Sequence, residues 1–235
     1  MKIILILASC CCIFLFLIQM GHNLRTNPVE KEAPVNPIKY KIRGEEVTIT
    51  GGYSATGVLT IPATIEGKPV TSIGEKAFTY SDLTGFTIPD SVTSIEAAAF
   101  KTCRSLSSIT IPDSVTSIGR NAFWNCSRLT KITIPDSVTS IGQWTFKECS
   151  SLTSITIGDG VTSIARLAFE DCSRLRAVTF LGDAPRVPEF DSGTPDERIL
   201  NAFHNASPTI YRKPEAKGWG DTFAGRPVKL ISDKP

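Results

Sequence analysis

Self-repetition constrains this chain more than any other feature. The eleven residues ITIPDSVTSIG stand at 109–119 and again, unchanged, at 132–142, and the near copy FTIPDSVTSIE precedes them at 86–96. Phe78, Phe100, Phe123, Phe146 and Phe169 follow one another at steps of 22, 23, 23 and 23, and Phe203 closes the series. Catalysis brings unlike side chains together, whereas a short fixed period stacks like on like. Architecture is therefore the first thing this sequence specifies.

The segment LTKITIPDSVTSIGQWTFKECSS at 129–151 shows one whole unit: L-x-x-I-x-I-P, then V-T-S-I-G, then x-x-x-F-x-x-C. A period of 20–29 with L-x-x-L-x-L spacing is the signature of a leucine-rich-repeat solenoid. Ile109 and Ile111 alternate with Thr110, so one face of a strand is buried and the other is wet. Pro112 has no N–H to donate and ends the ladder, and Pro-Asp-Ser makes the turn. Val115 and Ile118 point inward from a second short extended segment, and Ala122, Phe123 and Cys126 close the coil on a short helical turn. The expected fold is a β-rich, α/β-type leucine-rich-repeat solenoid of about six stacked coils of ~23 residues, capped at both ends.

The phrase I-P-x-x-V-x-x-I-G-x-x-A-F-x-x-C, complete at 111–126 and nearly so at 134–149, resembles the BspA-like class of bacterial surface leucine-rich repeats. The ending AVTFLGDAPRV…NAFHNAS…GWGDTFAGRPVKL resembles the closing segment of secreted members of that class. The resemblance runs over residues 40–231. It implies an exported, often surface-attached solenoid that binds other macromolecules, with adhesion to proteins as the usual role. Departures from the pattern are Thr145 for Ala, Gly158 for Pro, Ala165 for Gly, and Ala206 in the Cys position.

The ends differ from the middle. After Lys2 the segment IILILASCCCIFLFLIQM, residues 3–20, carries no charge. With Lys2 holding the start in the cytoplasm, this directs export as a signal anchor or a cleaved signal peptide. The lipobox-like Leu7-Ala8-Ser9-Cys10 is a third reading. The expected divisions are a signal segment at 1–21, a Pro-rich linker at 22–39, an N-terminal cap at 40–60, the solenoid at 61–179, and a degenerate last coil with a C-terminal cap at 180–235. KYKIRGEEVTITG reads as a hairpin-like cap, residues 66–69 as an inserted loop, and Trp219 with Phe223 as the seal on the final edge.

The formal net charge of +2 points to no nucleic-acid partner, and two His, with no P-loop, G-x-S-x-G elbow, H-E-x-x-H or dinucleotide fingerprint, point to no enzyme, metal or cofactor. Cys103, Cys126, Cys149 and Cys172 recur every 23 residues. Stacked coils spread four such ligands over roughly 14 Å, too far for a tetrahedral site, so the column reads as buried free thiols. The Asp90, Asp113, Asp136 and Asp159 column reads as solvated turn residues, and the Thr87, Thr110, Thr133, Thr156 and Thr179 column as an exposed strand face. A glycan or ice lattice is the alternative ligand for that hydroxyl array. Asn125-Cys-Ser and Asn205-Ala-Ser are glycosylation sequons only in a pathway that uses them.

Candidate binding residues sit beside the Phe column. On a helical turn, the positions one after and two before each Phe lie about 60° apart and away from the core. Trp124 takes the first position, Trp144 the second in the next coil, and Leu167 stacks beyond Trp144. These three form an expected exposed apolar patch rimmed by Arg120, Lys147 and Arg166, suited to a protein partner. The alternatives are that the indoles merely shield neighbouring coils and that the domain is a structural spacer.

Overall fold

A computed structural model describes residues 38–52, 56–187 and 201–233. The expected signal segment, nearly all of the linker and the 188–200 part of the insertion lie outside them.

The chain opens with an antiparallel hairpin, β1 (Lys39–Arg43) and β2 (Glu46–Gly51), turning through Gly44 at φ 60°. Val47 and Ile49 of β2 are fully buried, and the hairpin covers the first coil as expected. That coil holds β3 (Thr56–Thr60), β4 (Thr64–Ile65) and β5 (Lys68–Ile73), with β2 pairing in parallel onto β5. Residues 66–69 are not a loop: β4 and β5 form a tight antiparallel hairpin through Glu66 and Gly67, at φ 52° and 76°. Two successive positive φ values give the turn the twist a two-residue hairpin needs.

Each later coil supplies two strands. One face is built from β6 (Asp82–Thr87), β8 (Ser108–Thr110), β10 (Lys131–Ile134), β12 (Ser154–Ile157) and β14 (Ala177–Phe180), the other from β7 (Ser94–Ile95), β9 (Ser117–Ile118), β11 (Ser140–Ile141) and β13 (Ser163–Ile164). The pairings between these coils are parallel, as in Ile132 to Ile155 to Val178, with a break in the first face between β8 and β10 and a register shift where β6 meets β3 of the first coil. Thr133, Thr156 and Thr179 align in the same ladder, with Thr133 exposed and Thr179 buried. Where Gly158 replaces the repeat Pro, its N–H donates to Ile134 O at 2.9 Å, one rung a proline could not make. The turn Asp column also joins coils: Asp159 N–H donates to Asp136 Oδ1 of the preceding coil at 2.9 Å.

The third side of each coil corrects an expectation, because it is a run of turns and not a helical turn. In the Phe123 coil, the N–H groups of Asn121, Phe123 and Asn125 donate to Gln143, Thr145 and Lys147 of the next coil, while those of Ala122, Trp124 and Cys126 donate three residues back within the coil. Alternate amides thus point along the solenoid. That requires a left-handed residue on either side of the Phe: Lys76, Ala98, Asn121, Trp144 and Leu167 at φ 56–62°, and Tyr80, Thr102, Asn125, Glu148, Asp171 and Asn205 at φ 55–64°. A helix would turn all amides into the coil and leave the stack unjoined on this side. The left-handed residues cost about 1 kcal/mol or more each, offset by the bonds to the neighbouring coil.

Inside, the six Phe rings stack with centroids 5.2–5.5 Å apart and planes within 13° of parallel. The thiols lie beside them, free and buried. Each Sγ donates to a Phe carbonyl of the preceding coil: Cys103 to Phe78 at 2.9 Å, Cys126 to Phe100 at 3.2 Å, Cys149 to Phe123 at 3.2 Å, and Cys172 to Phe146 at 3.0 Å. Ser81, buried to 1% exposure, starts the same column, and Ala206 ends it. Burial pushes the Cys103 and Cys149 thiols up to about 12 and raises those of Cys126 and Cys172 well above their ordinary range.

The period fails after Phe180, yet the ladder continues through β15 (Thr209–Arg212) and ends in a hairpin of β16 (Thr222–Phe223) and β17 (Arg226–Leu230). Trp219 and Phe223 pack on Phe180 with centroids 4.9 and 5.5 Å away, and Trp219 Nε1 donates to Gly182 O at 3.3 Å. This seals the last coil as its sequence suggests. Among the described residues no helix is long and apolar enough to cross a membrane.

Candidate binding surface

The residues one place after each Phe are Thr79, Lys101, Trp124, Lys147, Glu170 and His204. The intercoil bonds run through their carbonyls: Tyr80 N–H to Lys101 O, Thr102 to Trp124, Asn125 to Lys147, Glu148 to Glu170, and Asp171 to His204. Stacking therefore delivers a lysine to either side of Trp124. Lys101 Nζ lies 4.0 Å from the indole centroid and Lys147 Nζ 5.7 Å. Lys147 Nζ also lies 2.8 Å from Glu170 Oε2 and 3.9 Å from Glu148 Oε1. Its pKa is raised, first by the hydrogen bond to Glu170. The column thus reads cation, aromatic ring, cation, anion.

Trp144 comes from the left-handed position two before Phe146, at φ 58°. Its ring meets that of Trp124 with centroids 6.3 Å apart and planes tilted by 36°. Trp144 Nε1 and Asn121 Oδ1, one coil back in the same column, are buried without a hydrogen-bond partner. Such groups cost roughly 1–3 kcal/mol each when left unpaired.

The structure brings Trp124, Trp144 and Lys147 together and changes what they present. Both indoles are half-buried, and Leu167 is 7% exposed, so the expected open patch of three apolar side chains does not form. The reason is the turn geometry: left-handed backbone at Trp144 and Leu167 aims their side chains along neighbouring coils, whereas a helix would have aimed them outward. Lys147 is an ion-paired member of the column, 20% exposed, and not a free rim charge. Arg120 is exposed and Arg166 half-buried. Among the described residues the large apolar side chains that stay exposed are Tyr40, Val58 and Tyr80, at 38%, 69% and 70%, all in the cap and first coil. Sequence reasoning missed Lys101, although adding 23 to 101 and to 124 gives Trp124 and Lys147.

Known proteins share the repeat and the fold. The family profile described as BspA type leucine rich repeat region matches residues 71–189. The leucine rich repeat protein of T. pallidum is 26% identical over 77% of this chain and 86% of its own, with a TM-score of 0.63. A leucine rich cell surface protein of Faecalibacterium prausnitzii is 27% identical over 76% of this chain and 55% of its own, with a TM-score of 0.50. The pneumococcal vaccine antigen PcpA shares the fold, at 21% identity and a TM-score of 0.58, over 75% of this chain and 48% of its own. The chain thus spans most of the first and about half of the other two. No curated protein matches it significantly.

Proposed function

The chain belongs to the BspA-type leucine-rich-repeat family, and from that premise we propose that it is an exported, surface-associated, non-catalytic module that binds a protein partner, with adhesion as its setting. The charge-free segment at 3–20 supports export, with the solenoid held at the membrane by a retained anchor or released to the surface after cleavage.

One observation carries the reading. The core columns hardly change from coil to coil, while the column after the Phe runs Thr, Lys, Trp, Lys, Glu, His and the column two before it runs Lys, Ala, Asn, Trp, Leu. Stacking alone asks for no such variety, and variety on a surface laid over a uniform core supports recognition of an irregular, protein-like surface. A spacer is the competing role, favoured by the two lysines that already occupy Trp124.

Binding of the full-length chain to panels of matrix and cell-envelope proteins, repeated with the Trp124→Ala, Trp144→Ala double variant, separates the two. A recognition module binds a specific protein and loses at least tenfold in affinity in the folded variant. Unchanged affinity moves the site off these indoles, and no binding across the panels favours the spacer.

A further inference from the structure

The net charge of +2 conceals a segregated surface. Where each coil leaves its Cys and enters the next strand, four consecutive coils read Arg104-Ser105 and Ser107-Ser108, Ser127-Arg128 and Thr130-Lys131, Ser150-Ser151 and Thr153-Ser154, Ser173-Arg174 and Arg176-Ala177. These 16 positions hold five cations, ten hydroxyls, one Ala and no carboxylate. Across these four coils the acids sit elsewhere, among them the turn column from Asp90 to Asp159 and the carboxylates around Lys147, while one coil earlier an exposed Asp82 takes the Ser105 position and bounds the strip.

The fold joins the last three of these coils rung by rung, while the ladder breaks between β8 and β10. Thr153 N–H donates to Thr130 O, and Arg176 N–H to Thr153 O, both at 2.9 Å, while Lys131, Ser154 and Ala177 pair in register. Arg104, Arg128, Lys131, Arg174 and Arg176 are all exposed, and among the described residues none forms an ion pair. Arg128 and Arg174 occupy one column two coils apart, which at the usual spacing is roughly 10 Å.

We infer that this strip binds a linear sulfated polysaccharide lying along the solenoid. Four of the five cations are Arg, whose planar fork of donors matches an oxyanion in two bonds at once. The intervening hydroxyls both donate and accept, as a polyhydroxylated chain requires, and a regular ladder suits a regular polymer. Nucleic acid fits less well: the strip has no aromatic side chain for a base to stack on and no helix to enter a groove. The site is separate from the protein-binding surface, sharing no residue with Trp124 or Trp144.

Size-defined heparin, chemically desulfated heparin and duplex DNA of matched charge test it against the full-length chain across a salt series. The disruptive variant is Arg128→Ser, Arg174→Ser, because Ser105 and Ser151 show that this column accepts serine. The control is Lys41→Ser, Arg43→Ser in the cap hairpin, which removes the same charge elsewhere. The expected result is heparin binding at 0.15 M salt that exceeds both other ligands about tenfold or more. The disruptive variant should lower it about tenfold and reduce the logarithmic salt slope by roughly 2, with the control unchanged. No heparin binding, equal binding of desulfated heparin or DNA, or equal loss in both variants would overturn the assignment. Because the strip and the indoles are mutated separately, failure here leaves the protein-binding reading standing, and the reverse.

Discussion

The column of Phe78, Phe100, Phe123, Phe146, Phe169 and Phe203 and the column one residue further on lie side by side on the third face and differ in how their side chains join the coils. In the first, six identical rings stack in parallel, with the thiols tied to Phe carbonyls beside them. In the second, Lys101, Trp124, Lys147 and Glu170 each differ from their neighbours and interlock by charge. Burial is the reason. Inside, any departure from the common shape leaves a void or a clash, so every coil repeats the same residue. At the half-wet surface, unlike neighbours attract where like charges would repel. The inner column should therefore carry stability, and the outer one little.

The largest expected effect is alkaline. Thiols whose pKa is raised in the fold contribute stability that is complete below pH ~8.5 and lost as pH climbs towards the folded values, about 12 for Cys103 and Cys149. Each thiol lowers stability by up to about 1.4 kcal/mol per pH unit in that window. The urea midpoint should fall steeply from pH 9 to 11, less so in a Cys126→Ala, Cys149→Ala variant, whose residues match Ala206. Parallel curves for the two proteins would show that the thiols do not hold the inner column.

Next comes truncation of the spine. Phe123→Ala opens a cavity between two stacked rings and should cost about 3–5 kcal/mol in chemical denaturation. Trp124→Ala, one residue away, loses two cation–π contacts on a half-wet surface and should cost only about 1–2 kcal/mol. Equal losses would dissolve the distinction between the columns.

The smallest effect sharpens it. Trp144→Phe keeps an aromatic ring and removes the buried indole N–H that lacks a partner. Stability should stay level or rise by up to about 1 kcal/mol, readable as a small upward shift in Tm. A loss above about 2 kcal/mol would mean that the N–H is satisfied after all.

Much of this was legible beforehand because a solenoid converts sequence period into spatial neighbourhood. The strands, the Pro that ends each ladder, the Phe spine, the buried thiols and the aromatic seal at Trp219 and Phe223 all follow from hydrophobic spacing. A further signal went unread: TIEGKPV at 64–70 and TFAGRPV at 222–228 are the same hairpin, β4–β5 near the start and β16–β17 at the end. The first reads by itself as a loop, since neither copy keeps the 23-residue step.

What the amino-acid sequence determined alone is the stack: which residues are inside, in what order, and that like lies over like. What only the tertiary structure decided is the backbone of the third side and everything that hangs from it. An A-F-x-x-C segment satisfies a helical pattern locally, and nothing local tells it to place Trp144 and Leu167 in left-handed conformations. That choice becomes favourable only when a neighbouring coil offers carbonyls to the alternate amides. It turned an expected open aromatic patch into a half-buried column flanked by lysines, because intercoil hydrogen bonds exist in the stack and in no single coil.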